Sequence, residues 1–172
     1  SRVTEKAVVE QCTSENNQVI AEGICGENIN LNVGGIAGSS YGSIRDCRVQ
    51  GGVVHGSNAG GVSGLISAGE IMGCCNSADV YGMCYTGGIC GWNAALTYLQ
   101  MSECVNEGTV HGCSETSGSM KQYAGGIIGY TLNGITINRC RNAGNISSGE
   151  QSCNAAPVSV GGILGGGWND GS

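Results

Sequence analysis

The 172-residue chain contains 33 glycines, 11 cysteines, one proline and no phenylalanine, and 12% of its residues are charged; average proteins have about 7% glycine and about 25% charged residues. Thirteen acidic against seven basic residues give a net charge of −6, which supplies no phosphate-neutralising stripe and argues against a nucleic-acid partner. No apolar run approaches the roughly 20 residues of a membrane-crossing helix, and aliphatic residues recurring in phase argue against a flexible glycine-serine linker.

In chain order, residues 1–32 read as a degenerate first unit, in which Val9 and Cys12 have the spacing aliphatic-x-x-Cys. Val19-Ile20 fall one place late for the aliphatic expected after that cysteine, which implies a one-residue insertion. Four full units follow at 33–58, 59–85, 86–123 and 124–159, and a partial unit occupies 160–172. Each opens on the same phrase: Gly34-Gly35-Ile36-Ala37-Gly38, Gly60-Gly61-Val62-Ser63-Gly64, Gly87-Gly88-Ile89-Cys90-Gly91, Gly125-Gly126-Ile127-Ile128-Gly129 and Gly161-Gly162-Ile163-Leu164-Gly165. Self-similarity at a period of about 20 to 50 residues is the signature of a repeat architecture. A second phrase follows the first four copies: Ile44, Cys47, Val53; Ile71, Cys74, Val80; Met101, Cys104, Val110; Ile137, Cys140, Ile146. The last two full units are longer. Their excess lies in 111–123 and 147–159, polar Ser- and Gly-containing stretches that read as loops extruded at one corner of a stack.

Three short apolar runs per unit, rich in Ile and Val and interrupted by Gly, Ser, Asn or Asp, favour strands over helices. Three strands per unit predict an all-β fold: a parallel β-solenoid with three-sided coils of about 26 residues, right-handed by the general rule for parallel crossovers. The expected aliphatic ladders are Ile36, Val62, Ile89, Ile127 and Ile163; Ile44, Ile71, Met101 and Ile137; and Val53, Val80, Val110 and Ile146. Asn76, Asn106 and Asn142 are expected to stack at a turn with their amides bonded along the column. Cys12, Cys47, Cys74, Cys104 and Cys140 share one slot, so stacking places them about 4.8 Å apart as small buried apolar groups. A looser set, Cys25, Cys84, Cys113 and Cys153, precedes the Gly-Gly phrase, where Ser57 stands in one unit. A Cys84–Cys113 bridge is an alternative there, because stacked positions fall within the Cα range of a disulfide. An odd number of cysteines rules out complete internal pairing.

The two phrases together, Val-Gly-Gly-Ile-x-Gly and Ile-x-x-Cys-x-Asn-x-Gly-x-Val over about residues 33–165, resemble the GLUG repeat of large bacterial surface proteins. Ile or Val stands where the family name has Leu, and two units are lengthened. Such repeats occur in adhesin-type proteins and beside the catalytic domains of some immunoglobulin A-specific metallopeptidases. The resemblance therefore implies a secreted or surface-displayed repeat region, with no reaction attached to it.

No catalytic constellation is evident. His55 and His111 each follow the third aliphatic and belong to no His-Glu-x-x-His motif, so they read as surface polar residues. The cysteines contain no Cys-x-x-Cys pair, the glycine phrases lack Gly-Lys-Ser/Thr, and Asn169 and Asp170 lie outside any calcium-binding nonapeptide. No metal or cofactor is expected. Tyr41, Trp92, Tyr98, Tyr130 and Trp168 all fall shortly after a Gly-Gly phrase. They form either an aromatic strip for contact with a host protein or glycan, or corner residues packed over loop backbone. The expected function is that of a non-enzymatic structural or adhesive domain at the bacterial cell surface: a stalk, scaffold or filament building block, without membrane insertion. Residues 1–12 would supply the half-unit missing after Val160, so end-to-end self-association stands beside the reading of a fragment from a longer surface protein. The competing expectations are an accessory binding module of a secreted enzyme, such as an immunoglobulin A-directed metallopeptidase, and a redox or metal-carrying cysteine protein.

Overall fold

The computed structural model describes residues 7–22, 31–96, 98–112, 121–149 and 158–167. Strands this short and glycine-rich cannot satisfy their own backbone groups. Each instead bonds to its counterpart in the next turn of chain, so the described residues wind through five coils. Four parallel sheets run along the stack. Sheet 1 contains Val8–Glu10, Ser43–Arg45, Glu70–Met72, Leu99–Ser102 and Ile135–Asn138. Sheet 2 contains Thr13–Glu15, Arg48–Gln50, Cys75–Asn76, Val105–Asn106 and Arg141–Asn142. In sheet 3, Val53–Gly60 and Asp79–Gly87 are continuous, whereas the other coils supply two pieces each, Gln18–Ile20 with Asn32–Gly34, Val110–Gly112 with Gln122–Gly125, and Ile146–Ser148 with Val158–Gly161. Sheet 4 holds Ala37–Ser40, Ser63–Ile66, Cys90–Asn93, Ile128–Thr131 and Leu164–Gly167.

The fold class is thus a parallel β-solenoid, but each coil carries four strands where three apolar runs predict three. The additional strand is sheet 2, only two or three residues long, which the sequence presents as a turn. One residue before each column cysteine makes the corner that separates it from sheet 1. Gln11, Asp46, Gly73, Glu103 and Arg139 occupy this slot, and all five have left-handed φ between 52° and 63°. Two of the three aliphatic ladders run as expected. Val9, Ile44, Ile71, Met101 and Ile137 are in register, and Ile36, Val62, Ile89, Ile127 and Ile163 follow one another through backbone bonds from coil to coil. The third ladder differs by one residue: Val54, not Val53, pairs with Val19 and Val80, while Val53 pairs with Asp79. The first two coils therefore share the seven-residue step from Cys12 to Val19 and from Cys47 to Val54. Asn16 (φ 49°), Gly51 (φ 64°) and Gly52 (φ 85°) absorb the extra residue in the left-handed region, where a side chain is costly for most residues.

Register is kept on both sides of the break in sheet 3. One column, Ile20, His55, Tyr81, His111 and Ser147, and a later one, Asn32, Asn58, Tyr85, Tyr123 and Ser159, are each continuous. The step between them is 3 residues in the second coil, 4 in the third and 12 in the other three. All three lengthenings therefore enter the chain at one point of the cross-section.

The Gly-Gly phrase permits close stacking. A Cβ at Gly61 would collide with the carbonyl oxygen of Gly88 and the side-chain amide of Asn76 in the following coil. Gly88 stands in the same relation to Gly126 and Asn106, and Gly126 to Gly162 and Asn142. The two sequence phrases are thus one steric unit, in which glycine vacates the volume that the next coil's asparagine fills. The amides run up the stack. Asn76 Nδ2 donates to Asn106 Oδ1 and Asn106 Nδ2 to Asn142 Oδ1, both at 2.8 Å, and each Nδ2 also donates to a carbonyl two residues ahead in its own coil. Asn76 and Asn106 are buried and Asn142 is half-buried. At the last coil, among the described residues, a Cβ on Gly162 would meet nothing within 4 Å.

Overpacking a tight backbone contact typically costs 1 to about 3 kcal/mol and sometimes more. Denaturant unfolding of Gly88→Ala should show a loss of about 3 kcal/mol, with Gly162→Ala unchanged. Equal losses at the two sites would contradict the stacking argument.

Candidate functional site

Strand alternation sets which residues face outward from sheets 3 and 4. In Asp79–Gly87, Tyr81, Met83 and Tyr85 alternate with buried Val80, Gly82, Cys84 and Thr86. Tyr85 pairs with Tyr123 in sheet 3, and Trp92 with Tyr130 in sheet 4. Across the corner between these sheets, Tyr85 stacks on Tyr130 with centroids 4.8 Å apart and planes 16° from parallel. Tyr123 lies 4.7 Å from Tyr130, and Tyr85 lies 5.5 Å from Trp92 and 6.0 Å from Tyr123. Gly166 leaves space for the Tyr123 ring, since a Cβ there would strike it. Burial, with a smaller contribution from Tyr123, raises the Tyr130 hydroxyl above its ordinary pKa. Trp92 Nε1 is buried and has no hydrogen-bond partner among the described residues.

Of the five aromatics picked from the sequence, the structure brings Trp92 and Tyr130 together. Tyr41 and Tyr98 are 73% and 77% exposed in the connections from sheet 4 to sheet 1 and stand apart from that cluster; the Tyr98 ring lies against Gly134. Trp168 lies outside the described residues, as do Asn169 and Asp170. Tyr85 and Tyr123, which complete the cluster, do not follow a Gly-Gly phrase and so are not among those five. Both stand two residues before it, in the slot held by Asn32, Asn58 and Ser159, and that periodic position was the available signal.

A second outward feature lies on the first part of sheet 3. Ile20, Val53, His55, Tyr81 and His111 line a groove of about 340 Å³. The Tyr81 ring is 6.5 Å from His55, nearly perpendicular to it, and 5.6 Å from His111. His111 Nδ1 is 2.7 Å from Ser147 Oγ. The two histidines are two coils apart, with Tyr81 in the column between them and its ring against both. No group of three or more His, Cys, Asp or Glu among the described residues is placed to hold a metal.

The column thiols bond to backbone. Cys47, Cys74 and Cys104 are fully buried. Their Sγ atoms donate to the carbonyl oxygens of Arg45 (3.2 Å), Met72 (3.3 Å) and Ser102 (3.3 Å), two residues back across the left-handed corner. Each also lies 3.7 Å from a carbonyl of the preceding coil. Cys12, exposed, and Cys140, half-buried, close their own corners in the same way. Cys25, Cys113 and Cys153, and with them the alternative Cys84–Cys113 bridge, lie outside the described residues. Burial raises the thiol pKa of Cys47 and lifts that of Cys90 from 9.0 to about 12. Hydrogen bonding with Cys140 and Cys74, together with burial, raises Cys104 as well, and the same hydrogen bonds with Cys104 lower Cys74 and bring Cys140 down to about 6. Among the column thiols, Cys47 and Cys104, held protonated, are poor nucleophiles and poor metal ligands. They serve here as compact corner caps.

A folded-state pKa above the unfolded value contributes stability that is complete below the unfolded pKa and is lost as pH climbs toward the folded one. Stability measured by urea unfolding should therefore decline from pH 9 toward about 12 as the unfolded chain gains thiolates, and Cys90→Ala should lessen the slope. A slope identical in that variant would remove Cys90 from the account.

A family model described as the GLUG motif matches residues 29–54, a stretch that takes in Asn32–Gly34 of sheet 3 and runs through sheets 4, 1 and 2 back to Val54 in sheet 3. No curated protein and no solved structure matches the chain. The chain thus contains a GLUG motif, consistent with a GLUG-motif repeat region, and its two phrases recur in register along a parallel β-solenoid.

Proposed function

We propose that the chain is a non-enzymatic extracellular repeat domain at the bacterial cell surface, a stiff stalk-like scaffold that holds an adhesive corner away from its base. The observation that carries this reading is the cluster of half-buried Tyr85, Trp92 and Tyr123 at the corner between sheets 3 and 4, backed by the buried Tyr130. Aromatic faces supply large contact areas at small entropic cost and dominate contact energies at protein surfaces. The cluster adjoins the point where three coils admit extra residues, so contacts there can vary without disturbing the core ladders. The GLUG match supports placement in a repeat region of extracellular proteins. A partner suited to this corner is a host protein or glycan, which would rest an apolar face on the rings.

A second reading, an accessory binding module of a secreted enzyme such as an immunoglobulin A-directed metallopeptidase, draws on the same cluster. It differs in requiring a catalytic partner domain.

Antibody staining of intact producing cells should label the chain at the surface, and beads coated with the purified chain should be retained on immobilised host glycoprotein. The double variant Trp92→Ser and Tyr123→Ser should lose about tenfold or more in retention while keeping its circular-dichroism spectrum. Absence of surface labelling, or retention indifferent to both substitutions, would overturn the adhesive scaffold.

A further inference from the structure

The groove on the first part of sheet 3 is a product of register. Because the left-handed Gly51 and Gly52 bring Val54 inward, Val53 and His55 face out of the sheet. Tyr81 stands between inward Val80 and Gly82, and His111 between Val110 and Gly112. One outward column therefore crosses the three middle coils as His55, Tyr81 and His111, with Ile20 and Ser147 continuing it in the coil on either side. The three rings are half-buried. Their planes are 89° and 53° apart along the column, so they do not stack face to face, and ring surface is left uncovered. The groove volume of about 340 Å³ falls in the range of about 300 to 1,000 Å³ found for small-ligand sites. No acid, lysine or arginine is among the residues that line it. Its polar atoms are nevertheless uncommitted. Among the described residues, neither the Tyr81 hydroxyl nor a ring nitrogen of His55 has a hydrogen-bond partner, and His111 uses only Nδ1, at 2.7 Å from Ser147 Oγ.

We propose that the groove over His55, Tyr81 and His111 is a binding site for a neutral saccharide, distinct from the aromatic corner and independent of what that corner holds. The chemistry of the wall selects this class. A wholly apolar occupant would strip water from the Tyr81 hydroxyl and the imidazole nitrogens and give them nothing in return. A charged occupant would be desolvated against a wall without a counter-charge, and the chain's net charge of −6 repels anions. A sugar ring meets both demands. Its C–H face rests on the Tyr81 ring and on Ile20 and Val53, while its hydroxyls, which both donate and accept, serve the imidazole nitrogens and the phenol. The long direction of the groove is the axis of the stack, because three coil intervals of about 4.8 Å separate Ile20 from His111, about 14 Å in all. A saccharide of more than one ring therefore lies across the strands, with successive rings over successive coils. In the third coil four residues of one strand separate Tyr81 from Tyr85 of the aromatic corner, so the two surfaces can be altered separately.

His55 and His111 are the two histidines of the chain, so their imidazole proton signals report on the groove directly. Nuclear magnetic resonance titration of the full chain with neutral tetrasaccharides of glucose, mannose, galactose and N-acetylglucosamine should shift both signals with at least one of the four, half-saturating at or below about 1 mM. His55→Leu removes the ring nitrogens and keeps the wall apolar, and Tyr81→Phe removes only the hydroxyl. Each should weaken binding about tenfold with the circular-dichroism spectrum unchanged. The double variant Trp92→Ser and Tyr123→Ser should bind the saccharide as the parent chain does. Silence of both histidine signals toward all four tetrasaccharides overturns the proposal. So does saccharide binding that survives His55→Leu and Tyr81→Phe, or that is lost in the Trp92 and Tyr123 variant, since either result moves the sugar to the aromatic corner. Shifts produced by dodecanoate and by none of the saccharides overturn it as well, because the groove would then be an apolar site.

Discussion

Everything in this molecule is subordinate to one distance, the spacing of about 4.8 Å at which a parallel strand accepts its neighbour. A side chain that points inward meets its own counterpart above and below at that interval. Each column must therefore be filled by something that tolerates stacking on itself. Aliphatic groups do so through dispersion and apolar burial, amides by bonding to one another, and thiols by remaining small and turning to backbone carbonyls. Glycine solves the remaining case, where backbone must lie on backbone. The composition that first looks like a linker is thus the composition that a fixed stacking interval demands.

The fold class was legible because that interval forces residues into phase. The Gly-Gly phrase, the aliphatic-x-x-Cys step and the recurring asparagine are visible as repeats, and each corresponds to a column. Sheet 2 was not legible: two residues between a left-handed corner and the next bend leave no alternation to detect, and the bonds that make Cys75–Asn76 a strand come from other coils. The one-residue error at Val53 had a related cause. Val53 and Val54 are equally aliphatic, and only the left-handed Gly51 and Gly52 decide which of them faces inward.

The candidate site was half legible. Trp92 and Tyr130 follow the glycine phrase at a fixed offset, but their ring partners Tyr85 and Tyr123 precede it, and the two pairs meet because the chain turns a corner between them. Offsets within a repeat reveal columns. They do not reveal which columns meet around a bend, and Tyr41 and Tyr98 illustrate this, since they too lie near the phrase and yet join no cluster.

Register also separates what can vary from what cannot. Sheet 3 reads identically on either side of a step of 3, 4 or 12 residues, so extra chain at that point is invisible to the core.

The asparagine column has a direction as well as a position. Asn76 donates to Asn106 and Asn106 to Asn142, never the reverse, so the amide dipoles add along the stack. Hydrogen bonds in a chain polarise one another. The core therefore contains a short line of aligned amides with its donor end toward the last coil and its acceptor end toward the first, which gives the stack a direction along its axis.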